Sequence, residues 1–288
     1  MSASTGNTLP PLLLERVLTR LGLASAPEPT LEGLRAIYGA WCRHIPFDNV
    51  RKLIHVRSGS PEPLPGSTAE DFLEAWLQHG TGGTCWSNAG ATYALLKSLR
   101  FPAVRGVGTM LAAPHIPPNH GTVMVVFDSE RWLVDGSVLC GEPLRLDEYA
   151  PSRVEHPARG LQCTRRDDGH LYVSWRALHQ TDGFDCRLEY FGATADEFGE
   201  RYEMTRGWSP FNYQVNARRN RGDDVTGLAF GNAVTLHADG TVTKTPFTRE
   251  DRTRILIEKV GLSEAIVAQL PDDVPTPPPP GSRTAAAA

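Results

Sequence analysis

Three side chains in the order cysteine, histidine, aspartate carry the chemistry this sequence suggests: Cys85, His120 and Asp135, 35 and then 15 residues apart. Cys85 follows Gly82-Gly83-Thr84 and opens an apparent helix. A thiol at a helix N-terminus faces free N–H groups and the positive end of the macrodipole, which favour the nucleophilic thiolate. The glycines before it let backbone or substrate approach closely. Taken alone, such a cysteine is more often a small buried hydrophobe. His120 stands where a Pro-rich loop (Pro114, Pro117, Pro118) meets the apolar run 122–127. His115 competes for the same role, but His120 directly precedes the run and is better fixed. Asp135 ends Trp132-Leu133-Val134-Asp135, and a carboxylate after an apolar strand is costly to bury unless paired. If 122–127 and 131–135 form a hairpin about Asp128-Ser129-Glu130, His120 and Asp135 lie at the same end of adjacent strands. The carboxylate then fixes the imidazole tautomer, and the imidazole serves the thiol as base. That is acyl-transfer chemistry through a thioester, and it requires no metal.

The elements that must position these residues change character along the chain. Residues 1–103 read as helical. Leu14, Leu18 and Leu21 share one face, with Gly22 as the stop. Thr30 caps a stripe of Leu31, Leu34, Tyr38 and Trp41. Ser67 and Glu70 form a capping box before Phe72, Leu73, Trp76 and Leu77. Cys85–Leu99 is again helical, and Pro102 ends it. Residues 104–208 read as strands, at 104–110, 122–127, 131–135, 171–175 and 186–190, followed by a helical patch over 194–202. Residues 209–270 read as a small α/β unit, with strands at 212–216, 233–236 and 241–243 and a helix over 249–260. Residues 271–288, with four consecutive prolines, read as a mobile tail.

Composition narrows the function classes. The chain has 288 residues, 40% hydrophobic and 22% charged, with a net charge of −4, so nothing draws it to nucleic acid or an anionic membrane. It holds no apolar run of spanning length. The N-terminus lacks the basic region of a signal peptide. The five cysteines are odd in number, form no C-x-x-C pair and imply neither a disulfide framework nor a zinc site, which points to the cytoplasm. Cys42, Cys140, Cys163 and Cys186 read as packing residues, with Cys140 a rival thiol near the site. Trp41, Trp76 and Trp132 read as core. Arg218, Arg219 and Arg221 form a basic cluster that could meet phosphates, but a solvated charged loop is the stronger expectation.

Over roughly residues 12–270 the sequence resembles the arylamine N-acetyltransferases. Leu18–Leu23 is similar to the family's first-helix ending, and Ile45-Pro46-Phe47-Asp48-Asn49-Val50 to its I-P-F-E-N-L segment. Gly82-Gly83-Thr84-Cys85 with Asn88 resembles G-G-x-C-x-x-N, and Leu133-Val134-Asp135 the L-V-D that supplies the acid. Ser209-Pro210-Phe211 and Leu256–Leu262 resemble the late S-x-F segment and the closing helix. The resemblance implies an α+β fold of helical bundle, β-barrel and α/β lid, whose first two parts form a cysteine-protease-like core. It implies a ping-pong acyltransferase, with acyl-coenzyme A (acetyl-coenzyme A) as co-substrate and an arylamine, hydrazine or related amine as acceptor. It also implies that Phe47, Ser137, Val138 and Phe211 meet substrate.

The departures shape the expectations. Thr81 stands where the family has arginine, and Asp48 where it has the glutamate thought to pair with it, so another contact must replace that pair. Val138 stands where the family has phenylalanine, which reshapes the acceptor pocket. Two readings compete with acyl-coenzyme A:amine transfer. One is an amide synthase taking a larger acyl chain from an acyl carrier protein. The other is a cysteine hydrolase passing the acyl group to water.

Overall fold

A computed structural model describes residues 7–112 and 117–280. The first part holds helices α1 (Pro11–Arg20) and α2 (Leu31–His44), a two-residue strand β1 (Phe47–Asp48), and helices α3 (Val50–Arg57), α4 (Ala69–His79) and α5 (Cys85–Ser98). Strands β2 (Ala103–Met110), β3 (His120–Phe127), β4 (Glu130–Leu133), β5 (Leu144–Arg145), β6 (Ser152–Val154), β7 (Leu161–Arg165), β8 (Leu171–Trp175) and β9 (Phe184–Phe191) follow, then α6 (Ala195–Met204). The last part holds β10 (Asn216–Arg221), β11 (Asp224–Ala229), β12 (Asn232–Leu236), β13 (Val242–Pro246), α7 (Arg249–Arg254) and α8 (Glu264–Val267). Between the last two helices, α7 continues as a wider-turned helix over Ile255–Val260.

Strands β2–β9 form one antiparallel sheet in the order β5-β4-β3-β2-β9-β8-β7-β6. β5 returns beside β6 and β7, so the sheet curls almost into a barrel. The mixed helix-and-barrel architecture agrees with the expected α+β class. A second sheet runs β1-β10-β11-β12-β13. Its edge strand, Phe47–Asp48, comes from the helical part and pairs with β10, Phe47 opposite Arg218. That pairing ties the segment before the nucleophile loop to the C-terminal sheet.

Helix α5 is the centre of the core. Cys85, Trp86, Ala89, Ala91, Ala94, Leu95 and Leu96 are all buried, as are Ser87, Asn88 and Thr92 on its other sides. A helix covered on every face needs neighbours all round, and α4, β2, β3 and α6 supply them.

Local expectations shift in four places. The buried stripe of α1 is Leu13, Val17 and Leu21, with Leu14 and Leu18 only flanking it. The cap of α4 is Thr68, which accepts from the Asp71 N–H, one residue beyond the expected Ser67 box. The segment 212–216 is not a strand: a short helical turn, Pro210–Asn212, precedes β10, which starts at Asn216. The tail is pinned as far as Pro277. Asp273 accepts from Val215 N–H and pairs with Arg252 at 3.2 Å, Val274 donates to Tyr213, and Trp208 Nε1 donates to Pro277 O. The remainder of the expected mobile tail, and His115, lie outside the described residues.

Candidate active site

The nucleophile loop is set by close backbone approach. A Cβ on Gly82 would stand 1.7 Å from Pro46 O, so only glycine fits there. Asp48 holds the same loop: its Oδ2 accepts the Gly82 N–H at 2.6 Å and its Oδ1 the Val50 N–H at 3.0 Å. Burial raises the Asp48 carboxyl to about 6, while the two amides pull it down. Backbone amides thus stand in for the charged partner that the sequence departures leave missing. Thr81 is fully buried, and its hydroxyl finds no partner among the described residues.

Cys85 is the first residue of α5, with its thiol 3.7 Å from Asn119 O. Asn119 precedes His120 on the entry to β3, so the thiol lies against the chain that carries the imidazole. His120 Nε2 meets Asp135 Oδ2 at 2.6 Å, with both side chains at most 5% exposed. His120 Nδ1 has no partner among the described residues. Burial disfavours the charged imidazole. The Asp135 charge and hydrogen bond outweigh it, helped by the Cys85 sulfur, and hold the imidazolium well above its usual range. Burial likewise penalises the Asp135 carboxylate, but His120, Ser137 and Thr122 together keep its pKa below the ordinary value.

The hairpin explains this meeting. β3 and β4 pair with Met124 opposite Leu133, and the Val134 N–H still reaches Val123 O. Asp135 is therefore level with Thr122, which shares a face with His120 two residues away. The chain then turns tightly. Asp135 Oδ1 accepts from Ser137 N and Oγ and from Val138 N, at 3.0, 2.6 and 3.3 Å. Tyr38 donates to the Asp135 carbonyl at 2.9 Å. At Gly136 a Cβ would fall 2.1 Å from Asn88 Oδ1, the atom that also accepts from Trp41 Nε1. The asparagine of the Cys-x-x-Asn spacing therefore braces the turn of the carboxylate.

These residues open on one cavity of about 850 Å³. Cys85, His120, Phe47, Ser137, Val138 and Phe211 all line it, with Phe47 and Phe211 edge to face at 5.3 Å. Ser137 is on the wall, but its hydroxyl is already engaged by Asp135. Sequence reasoning did not single out Lys52, His179, Trp208, Phe230, Pro279 or Pro280, which also line the cavity. Lys52 follows the buried Val50 on α3, and a lysine beside Val50 and Leu53 was the one available signal. Arg218 is a correction: it lies in β10, buried, on the cavity wall rather than in a solvated loop. Arg219 and Arg221 instead donate to the Val260 and Lys259 carbonyls, which a helix end leaves unmatched. Cys140 is no rival thiol: burial lifts it to about 11. No group of three or more ligating side chains that could hold a metal occurs among the described residues. No described helix is long and apolar enough to cross a membrane.

The site thus sets a helix-borne thiol against the strand of a carboxylate-paired imidazole, on a helix-and-barrel frame. The N-acetyltransferase family model matches residues 30–263. A curated relative, the arylamine N-acetyltransferase of Mycolicibacterium smegmatis, is 29% identical over 177 residues, 56% of this chain. That match spans 62% of the relative's length. The arylamine N-acetyltransferase of Mycobacterium abscessus superposes with a TM-score of 0.76 at 19% identity, over 94% of this chain and 97% of that one. The Mycobacterium marinum arylamine N-acetyltransferase in complex with CoA gives 0.74 at 19% identity, over 89% of this chain and 98% of that one. The chain belongs to the arylamine N-acetyltransferase family.

Proposed function

We propose that this chain moves an acyl group from an acyl-coenzyme A thioester to an amine through a thioester on Cys85. One observation carries the reading. His120 is bonded to Asp135 through Nε2 and keeps Nδ1 without a partner among the described residues, beside the cavity that Cys85 also lines. His120 stands as the imidazolium, carrying at Nδ1 the proton given up by the Cys85 thiol, as Sγ attacks the thioester carbonyl. The coenzyme A thiol leaves with that proton. The amine then attacks the Cys85 thioester, His120 accepts the amine proton, and the amide departs as the thiol is restored. Asp135 holds the ring in one tautomer throughout. The first-turn N–H groups of α5 have no partner inside the helix and suit the oxyanion on the attacked carbon. Similarity to the M. marinum enzyme in complex with CoA supports this donor class.

Intact-protein mass after mixing with acetyl-coenzyme A tests the reading. One added acetyl group, absent in Cys85→Ala, is the expected result. No adduct and no amide with any thioester donor overturns it, and rapid free acid without amine moves the assignment to a hydrolase. The cavity volume and Val138 at its wall favour a second reading, a longer acyl chain. Parallel reactions with octanoyl-coenzyme A and with octanoyl carrier protein separate the donors.

A further inference from the structure

One nucleophile on the cavity wall takes no part in the chemistry above. Lys52 lies on α3, 4% exposed, and lines the cavity with Thr84 and Cys85 at the start of α5 and Thr205 just beyond α6. Packing of α5 against α6 holds these segments together. A buried ammonium ordinarily needs a counter-charge. Lys52 has no paired carboxylate among the described residues. Glu203, whose charge reaches it, is bound instead to Arg206 at 2.9 Å and to the Leu64 N–H at 2.6 Å. No aspartate or glutamate lines the cavity among the described residues.

Lys52 makes one hydrogen bond among the described residues, from Nζ to Thr205 Oγ1 at 2.7 Å. Thr205 gives its own hydroxyl hydrogen to Tyr202 O at 2.7 Å, so it accepts from the lysine and has nothing to donate back. That direction matters when the lysine is neutral. The amine keeps its N–H bond to Thr205, and its lone pair is left free. The Tyr202 ring, 5.9 Å from Nζ, favours the cation, while its hydroxyl is committed to Pro65 O at 2.7 Å. Burial pulls the ammonium down to about 7; the Cys85 sulfur and Glu203 oppose the fall, and Arg206 adds to it. A large fraction of molecules therefore carries Lys52 as the free amine near neutral pH. Desolvation and a neighbouring cation are the conditions that activate a lysine as a nucleophile.

Resting on the acyl-transfer reading above, we propose that Lys52 is a second acyl acceptor built into the site, which takes the acyl group from Cys85 when no amine substrate is present. The Lys52 lone pair attacks the carbonyl carbon of the Cys85 thioester. The C–N bond forms, the C–S bond breaks, and the sulfur leaves as thiolate. The proton released from nitrogen passes to His120, which restores the thiolate–imidazolium pair. The flexible four-carbon stem, tethered by a single hydroxyl, lets Nζ follow the acyl carbon. An amide does not return its acyl group to sulfur, so the transfer ends there, with the Lys52 charge removed and the acyl group left in the cavity. An amine substrate prevents this by emptying Cys85 first.

The experiment incubates wild type with acetyl-coenzyme A and no amine at about pH 8, where Lys52 is mostly neutral. Intact mass is followed before and after hydroxylamine, which cleaves thioesters and spares amides, and peptide mapping locates any resistant acetyl group. Cys85→Ala and Lys52→Arg run in parallel, the arginine keeping the cation and removing the nucleophile. In wild type, a labile acetyl group on Cys85 should give way to a resistant one on Lys52. Lys52 should be acetylated at least about 100-fold more slowly in Cys85→Ala, which lacks the intramolecular relay. Lys52→Arg should gain no resistant group. A Cys85 thioester with no resistant group on Lys52, or with one on another residue, overturns this proposal and leaves the transfer reading standing. The wild-type map alone decides that outcome, so it holds if Lys52→Arg does not fold. Equal labelling of Lys52 in Cys85→Ala also overturns the proposal, as direct acylation by the donor. No adduct on either residue with any thioester donor overturns the transfer reading and this proposal together.

Discussion

The Asp48 carboxylate accepts the Gly82 N–H at 2.6 Å, three residues before Cys85. It thereby couples the short strand Phe47–Asp48, and through it the C-terminal sheet, to the loop that presents the thiol. Asp48→Ala leaves the Gly82 and Val50 amides unmatched and buried. The expected cost is about 1–3 kcal/mol in denaturant unfolding, with slower Cys85 acylation. An unchanged unfolding midpoint and acylation rate overturns this role.

Asp48 also predicts a pH trend. Its folded value, about 6, lies above the ordinary 3.8. A raised folded value means this group favours folding below about 3.8 and loses that contribution as pH rises through about 6. Replacing Asp48 by Asn should therefore flatten this segment of the stability curve. Unfolding midpoints between pH 4 and 7 check it, and parallel curves for both proteins count against it.

The His120–Asp135 pair should stabilise the fold across a bounded pH range. The folded His120 value is raised from 6.5 to about 10, so its contribution is complete below 6.5 and fades toward pH 10. The folded Asp135 value is lowered, so its contribution is present above 3.8 and lost as acid protonates it. The Tm gap between wild type and His120→Gln should be widest between pH 4 and 6.5 and narrow at both ends. Acylation by His120→Gln should fall about 10²- to 10⁴-fold at neutral pH, as for loss of a general base. A rate within threefold of wild type would remove His120 from the reaction.

Ser137 acts through Asp135, which accepts its hydroxyl at 2.6 Å. Ser137→Ala should slow acylation about tenfold, the worth of one bond to a charged group, and raise the apparent imidazole pKa, because a carboxylate relieved of one donor holds the imidazolium more tightly. Imidazole titration followed by NMR reads the second effect. Ser137→Thr should restore both. A change in KM for the amine alone would instead mark Ser137 as a substrate contact.

Val138 lines the cavity beside the Asp135 turn and is 4% exposed. Val138→Phe adds volume to that wall and should cut kcat/KM for bulky amines at least tenfold more than for small ones. Equal losses across amine size would show that this wall does not set acceptor choice.

The sequence by itself carried the order of the chemistry. Cys85 at a helix start, His120 at a strand entry and Asp135 after an apolar strand are read from local pattern, because helix and hairpin geometry repeat every few residues. The G-G-x-C spacing was legible as a motif, but the approach of Pro46 O that demands glycine at position 82 exists only in the folded chain. The mobile-tail reading failed for Asp273, Val274 and Pro277, since proline content reports only the absence of regular structure, not docking. Arg218 was misread because charge predicts solvent until a sheet partner is known, and its partner, Phe47, lies 171 positions away. Only tertiary structure could assemble Lys52, Val138, Arg218 and Pro280 around one cavity. They come from four remote segments, and nothing periodic in the chain encodes their meeting.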